Sequence, residues 1–370
     1  MALRIPYVNL AQQHQLLRDE LLGAVAGVID SGQFIQGEET ELFEKEFAVL
    51  CDRQHAVGVN SGTDALILAM KALGIGPGDE VITASNSFLA SASCIALAGA
   101  TPKFADVRED LNLDPEAVAR AITPRTRAII PVHLTGKPAP MKELLAVAGE
   151  HKLEVIEDAA QAVGAKLDGK PVGSFGRVGC FSLHPLKNLN ACGDGGMLVT
   201  NDDRIAQRTR LLRNHGQPNR DDCTEFSMVS RLDSVQAAIL RVKLRQLGEV
   251  TAKRRANAEH YRRRLKDCSR IQFPADGPGE FCVYHTFVIQ ADKRDELKRH
   301  LENSGIGTAI HYPVPIHLMT VGRRLGHQPG DFPVTERLAG RILSLPVYPE
   351  LTSDQLDEVA DAILKFYKSN

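Results

Sequence analysis

Short apolar runs alternate with stretches of helical spacing through the first half of the chain. AVGV at 56–59, EVITA at 80–84 and KFAD at 103–106 read as strands, and RAIIPV, LEVIE, VGCFSL and GMLVT continue the series. Helices are predicted from Thr63 and after Phe88. Strands alternating with helices predict an α/β fold, a mostly parallel sheet covered on both faces. Such sheets bind ligands where strands end and helices begin. From about Val235 to Leu265 the pattern turns long and helical, with the apolar residues of AAILRVKLRQL three and four apart. This stretch reads as a bridge to a smaller C-terminal α+β domain containing YHTFVIQ, a helix near Arg294 to Asn303, GTAIHY and a final helix from Ser353. The expected division is a large domain over 1–245 and a small one over 246–370, with no repeat and no low-complexity segment.

Composition narrows the classes of partner. The chain has 370 residues, enough to bury a large core, and its 44 basic and 46 acidic residues leave a formal charge of -2. That balance offers no chain-wide attraction to nucleic acid or anionic lipid, and small-molecule substrates are expected instead. The seven cysteines are scattered and never form CxxC, which predicts free thiols in a reducing cytoplasm and no metal site. No basic leader with an apolar core and no run of about 18 apolar residues is present, so a soluble, unexported protein is expected.

Three segments carry chemistry. In HPLKNLNACGDGG, Lys187 sits between a strand ending near Leu183 and a glycine-rich turn. In EVIEDAAQAVGA a strand runs into Glu157 and Asp158, where a carboxylate meets any ligand at the sheet's edge. Asp158 is the first candidate and Glu157 the second; capping of the following segment is the alternative for either. In VNSGTDALILAM, Ser61, Gly62 and Thr63 open a helix whose first amides suit a phosphate, although a plain helix cap has the same pattern. GIGPGDE at 74–80 follows a helix and precedes a strand, the reverse of a dinucleotide loop, and reads as a turn. Without a glycine-rich strand-to-helix turn, a nicotinamide-linked oxidoreductase is disfavoured.

In order and spacing these motifs resemble the DegT/DnrJ/EryC1/StrS sugar aminotransferases of fold type I. The likeness runs from GQFIQGEETELFEKEFA through NSGTDAL, NSFLASASCIALAGATPKFADV, EDAAQAVGA, FSLHPLKNL, GDGG, RNHG and SRLDSVQAAIL to HYPVPIH. The resemblance implies pyridoxal 5'-phosphate held as a Schiff base on Lys187, with Asp158 keeping the ring nitrogen protonated. It places Gln161 on the ring's hydroxyl side, Gly62, Thr63 and Ser182 at the phosphate, and Phe88 against the ring face. Phe88 as plain core and Ser182 on the far side of its strand are the competing readings. His311 and Tyr312 match a substrate-side motif, while His184 is open between substrate contact and a local hydrogen bond.

The implied reaction moves nitrogen from an amino acid, glutamate or glutamine by analogy, to a keto sugar carried on a nucleotide. A keto-cyclitol acceptor and a regulatory relative that binds cofactor without turnover are the alternatives. Lys187 argues against the family's deoxygenating branch, which has histidine there. The family's homodimer, with sites shared between subunits, is expected. Two departures stand out. Val229 replaces an asparagine that reaches the partner's phosphate, leaving Ser227, Ser230, Arg231 or backbone to replace it. Thr135 and Lys137 stand where tyrosine and glutamine are usual.

Overall fold

A computed structural model describes residues 3–273 and 276–368. The strands are, in chain order, β1 (His55–Val59), β2 (Glu80–Ala84), β3 (Thr101–Ala105), β4 (Thr126–Ile130), β5 (Glu154–Asp158), β6 (Lys166–Leu167), β7 (Lys170–Pro171), β8 (Val178–Ser182) and β9 (Gly196–Thr200). Seven of them form the main sheet, ordered β1-β9-β8-β5-β4-β2-β3. The β3, β2, β4, β5 and β8 strands pair in parallel, and β9 lies antiparallel to both β1 and β8. The expected mostly parallel sheet is therefore present, with one reversed strand.

Parallel strands are covered on both faces, which is why EVITA is buried at every position despite its glutamate and threonine. The Glu80 carboxylate survives burial because Thr123 and Arg125 hydrogen-bond to it. GIGPGDE is a turn between the helix Gly62–Ala72 and β2, and Gly74 and Gly78 take φ of 71° and 94°, where a side chain would be strained.

The helix Ser234–Leu265 runs unbroken past the expected boundary at 245/246. Two N-terminal helices that the periodicity did not reveal, Arg18–Ser31 and Glu38–Leu50, pack against it. Beyond it, β10 (Ile271–Gln272), β11 (Glu280–Phe281), β12 (Phe287–Ala291) and β13 (Ile342–Leu345) follow. β10, β12 and β13 make an antiparallel sheet, while β11 pairs with β6. The helices Arg294–Asn303 and Ser353–Lys368 contribute to this second core around Tyr261, Phe287, Leu297 and Ile363. Each large apolar side chain buried here contributes about 1.5–3 kcal/mol before entropy is counted. GTAIHY forms no strand; Ile306, just before it, makes an isolated bridge to Ile5, and Ala309 within it makes one to Ser344.

Candidate active site

The carboxyl ends of the parallel strands open into a cavity of about 730 Å³. Its sheet side is formed by Ser61, Ser87, Val132, Asp158 and Ser182, each at or just beyond the end of β1, β2, β4, β5 or β8. Its other wall comes from distant segments, with Tyr7, Arg254, His285, His311 and Tyr348. Gly62, Thr63, Phe88, Asp158, Gln161, Ser182, His184, Lys187, His311 and Tyr312 all line this one cavity.

Glu157 and Asp158 are neighbours on β5, and alternation sends them to opposite faces. Glu157 points away from the cavity and is fully buried. It accepts from His133 Nε2 at 3.0 Å and from the backbone N–H groups of Gly173, Phe175 and Gly176 at 2.7, 2.7 and 2.6 Å. Because His133 Nδ1 accepts from Ala139 N–H, its proton sits on Nε2, facing the carboxylate. Burial opposes ionisation, but His133 and the amides outweigh it and hold the Glu157 carboxyl below the ordinary range. Glu157 is thus a structural clamp, and Asp158 is the carboxylate in the cavity.

Asp158 accepts from Ser91 Oγ at 2.7 Å and from Ala160 N–H at 3.2 Å. Burial pushes its carboxyl up, and Ser91 is the main group opposing that shift. Ser91 in turn lies 2.8 Å from Ser87 Oγ. Lys187 is pulled down to about 8 by burial, partly offset by the charge of Asp158. A cavity that desolvates both a carboxylate and an amine suits a ligand bringing a cationic ring nitrogen to one and a carbonyl carbon to the other.

On the same sheet side, Ser61 caps the helix Gly62–Ala72 by accepting from Asp64 N–H. The N–H groups of Gly62 and Thr63, ahead of the capped Asp64, have no intrahelical acceptor and form an anion seat. That seat requires glycine: a Cβ on Gly62 would lie 2.7 Å from Ser182 Cβ, and one on Gly196 would lie 2.2 Å from Ser61 O. The donor set, the close backbone approach and the buried Asp158 together fit pyridoxal phosphate.

Phe88 is 56% exposed, so it is not core, and its ring centroid stands 5.7 Å from that of Tyr312. Gln161 accepts from Thr135 N–H at 2.8 Å and donates from Nε2 to Tyr312 Oη at 3.3 Å. His311 Nδ1 is 2.8 Å from Ser344 Oγ, and burial lowers its ring to about 4. Burial raises the Tyr312 phenol to about 12. His184 lines the cavity, and its Nδ1 accepts from Leu186 N–H, the local hydrogen bond of its second reading.

At the departures, Thr135 acts through its backbone on Gln161, and Lys137 pairs with Glu280. Val229 is half-exposed and does not line the cavity. Ser227 donates to Leu212 O, and Ser230 donates to Asp64 while accepting from Asn60 N–H. Arg231 spends one Nη on Asn214 and leaves Nε without a partner.

The sequence reasoning missed Ser91, Tyr7, Arg254 and His285. Ser91 had a signal, since Ser87 and Ser91 stand four apart where a helix was expected to open. Tyr7 and His285 had none, coming from segments far from the motifs.

A family model for the DegT/DnrJ/EryC1/StrS aminotransferase family matches residues 15–364. The UDP-N-acetyl-3-dehydro-alpha-D-glucosamine 3-aminotransferase of Acidithiobacillus ferrooxidans is 45% identical over 97% of this chain and 97% of its own. A pleiotropic regulatory protein of Geobacillus stearothermophilus is 42% identical over 99% of both chains. The crystal structure of S. venezuelae DesV in complex with a ketimine intermediate superposes with a TM-score of 0.96 at 43% identity, covering 99% of each chain.

Proposed function

The chain belongs to the DegT/DnrJ/EryC1/StrS aminotransferase family, and from that membership we propose that it moves an amino group from an amino acid, L-glutamate first, to a keto sugar carried on a nucleotide. The observation that carries the reading is the placement of Lys187 and Asp158, each strongly desolvated, in one cavity facing a helix-opening anion seat. Bound there, pyridoxal phosphate supplies a carbonyl that takes up nitrogen and a ring that withdraws electrons from the substrate carbon.

The chain's own residues do the rest. Lys187, with an amine near 8, is part neutral at physiological pH and moves the proton at the substrate carbon. Asp158 would hold the proton on the ring nitrogen, and the Ser91 hydroxyl opposes the rise that burial imposes on its carboxyl. Gly62, Thr63 and Ser182 would seat the phosphate, Phe88 would cover the ring, and Gln161 would stand on the side of the ring hydroxyl, its Nε2 donating to the substrate-side Tyr312. His311, neutral at physiological pH, and His184 face the sugar. The sugar's nucleotide is supported by the Acidithiobacillus relative, whose name specifies a UDP-linked substrate.

The same proposal divides the chain into domains over 1–245 and 246–370, supported by the separate core around Tyr261 and Phe287. It makes the working form a homodimer, in keeping with the exposed apolar Phe34, Ile35, Leu186 and Val229. It places the protein in the cytoplasm, in keeping with seven free cysteines. No described helix is long and apolar enough to cross a membrane.

The test is the absorption spectrum of purified protein before and after borohydride, with peptide mapping of the reduced adduct. The expected result is a visible band lost on reduction and a pyridoxyl group on Lys187; no band after added pyridoxal phosphate refutes the proposal. A second reading, cofactor binding without turnover, is favoured by the name of the Geobacillus relative. Conversion of bound cofactor to its amine form by glutamate excludes that reading.

A further inference from the structure

Arg254 stands in the cavity wall opposite the sheet, on the inner face of the helix Ser234–Leu265. It is 8% exposed. Its Nη1 donates to the backbone oxygens of Tyr284 and His285 at 3.2 and 3.4 Å, and its buried Nε has no partner among the described residues. No described carboxylate lies within ion-pair distance of it. Glu350 stands close enough for its charge to bear on Arg254, but no described hydrogen bond or ion pair joins them. Burial pulls the guanidinium down to about 10, which leaves it a cation at every physiological pH. A buried guanidinium without a counter-ion is costly in the ligand-free protein, and an anion arriving in the cavity offsets that cost.

The position of this cation defines the anion. His285, whose backbone oxygen accepts from Arg254, has its Nδ1 3.3 Å from Oδ1 of Asn188, the neighbour of Lys187, so the guanidinium borders the end of the cavity where nitrogen is exchanged. The phosphate seat of Gly62 and Thr63 is on the sheet side, formed by other elements. An amino acid whose nitrogen reaches the Lys187 position carries a carboxylate one carbon away. A guanidinium offers that group two parallel N–H donors, a geometry a carboxylate matches closely.

Resting on the transaminase reading above, we propose that Arg254 is the carboxylate-binding residue for the amino donor, with Nη2, which no described hydrogen bond engages, as its donor into the cavity. Two backbone carbonyls fix the guanidinium plane from behind, so the fork is oriented before the donor arrives. The phenol of Tyr7, which also lines the cavity, stands close enough to sense the charge of Arg254.

The experiment uses holoenzyme and glutarate, a dicarboxylate with no amine to exchange, and reads its dissociation constant by calorimetry. UDP and dTDP, titrated separately, report the acceptor side. In Arg254→Gln the glutarate dissociation constant is expected to rise at least about tenfold, the weight of a charge-assisted hydrogen bond, with UDP and dTDP unchanged within about twofold. Retention of the visible cofactor band and of the unfolding temperature shows that the variant is folded. If Arg254→Gln does not fold, Arg254→Lys decides, because it keeps the charge and loses the fork; a severalfold loss of glutarate alone is then expected. Unchanged glutarate binding overturns the proposal, and so does weakened UDP or dTDP binding in its place, which would assign Arg254 to the nucleotide diphosphate. The transaminase reading fails separately, if glutamate never converts the wild-type cofactor to its amine form.

Discussion

Ser91→Ala removes the hydroxyl that donates to Asp158 Oδ2 at 2.7 Å. The carboxylate keeps only the longer bond from Ala160 N–H, at 3.2 Å, and Ser87 loses its neighbour 2.8 Å away. A hydrogen bond to a charged group contributes about 1.5–3 kcal/mol. At ~1.4 kcal/mol per pKa unit, its loss lifts a carboxyl that burial already pushes up by about one to two units more. Less Asp158 is then ionised at a given pH, and its hold on a protonated ring nitrogen weakens. The assay is titration of apoprotein with pyridoxamine phosphate, the amine form, which forms no bond to Lys187. Across pH 5–8 as a chosen range, the acid limb of the affinity profile is expected to shift up by about one to two units, with affinity falling about 10–100-fold below it. A purely structural role for Ser91 would lower the unfolding temperature and leave the limb where it was. Superimposable limbs in wild type and Ser91→Ala refute the reasoning.

Two further outcomes follow from buried charges. An amine with a pKa of about 8 is roughly a tenth neutral at pH 7 and half neutral at pH 8, so capture of pyridoxal phosphate at Lys187, trapped by borohydride, should rise about fivefold between them and level off near pH 9. A rate that keeps climbing tenfold per unit to pH 10 would mean an ordinary lysine. Since the folded pKa is depressed, the unfolded chain binds the extra proton between about 8 and 10, and the ligand-free protein gains stability from this residue as pH rises through that window. Glu157→Gln replaces one oxygen of the clamp with an NH₂ facing N–H donors and should cost about 3–5 kcal/mol, read as a lower urea midpoint with the cofactor still bound after refolding. The wild-type carboxyl is depressed, so its stabilisation is complete above the unfolded value of about 4.3 and is lost as pH falls through the lower folded value. The variant should lack that acid limb, and an identical limb in both proteins would count against the clamp.

How far the site was legible depended on whether its residues came from local patterns. The sheet was readable because strands buried on both faces appear as unbroken apolar runs, and each run ends beside a cavity residue. Strand alternation then separates Glu157 from Asp158, but it cannot say which face holds the ligand; the loop 173–176, which wraps Glu157, settles that in three dimensions. GTAIHY, read only as part of the small domain, owes its one bridge, from Ala309 to Ser344, to a pairing distant in sequence that no local pattern shows. The helix Arg18–Ser31 hides because it buries little beyond Leu21 and Val28. Arg254 is the instructive omission. Its surroundings, KRRAN, read as a solvated charged stretch, yet Leu247, Thr251, Arg254, Ala258, Tyr261 and Leu265 follow one another at spacings of four and three and are all buried. An arginine on the apolar stripe of a helix breaks the local rule, while its neighbours Lys253 and Arg255 obey it. Such violations concentrate where function requires a buried charge. The periodicity that predicted the helix therefore also contained the position of the cation, once the stripe is followed past the stretch where its apolar residues are densest.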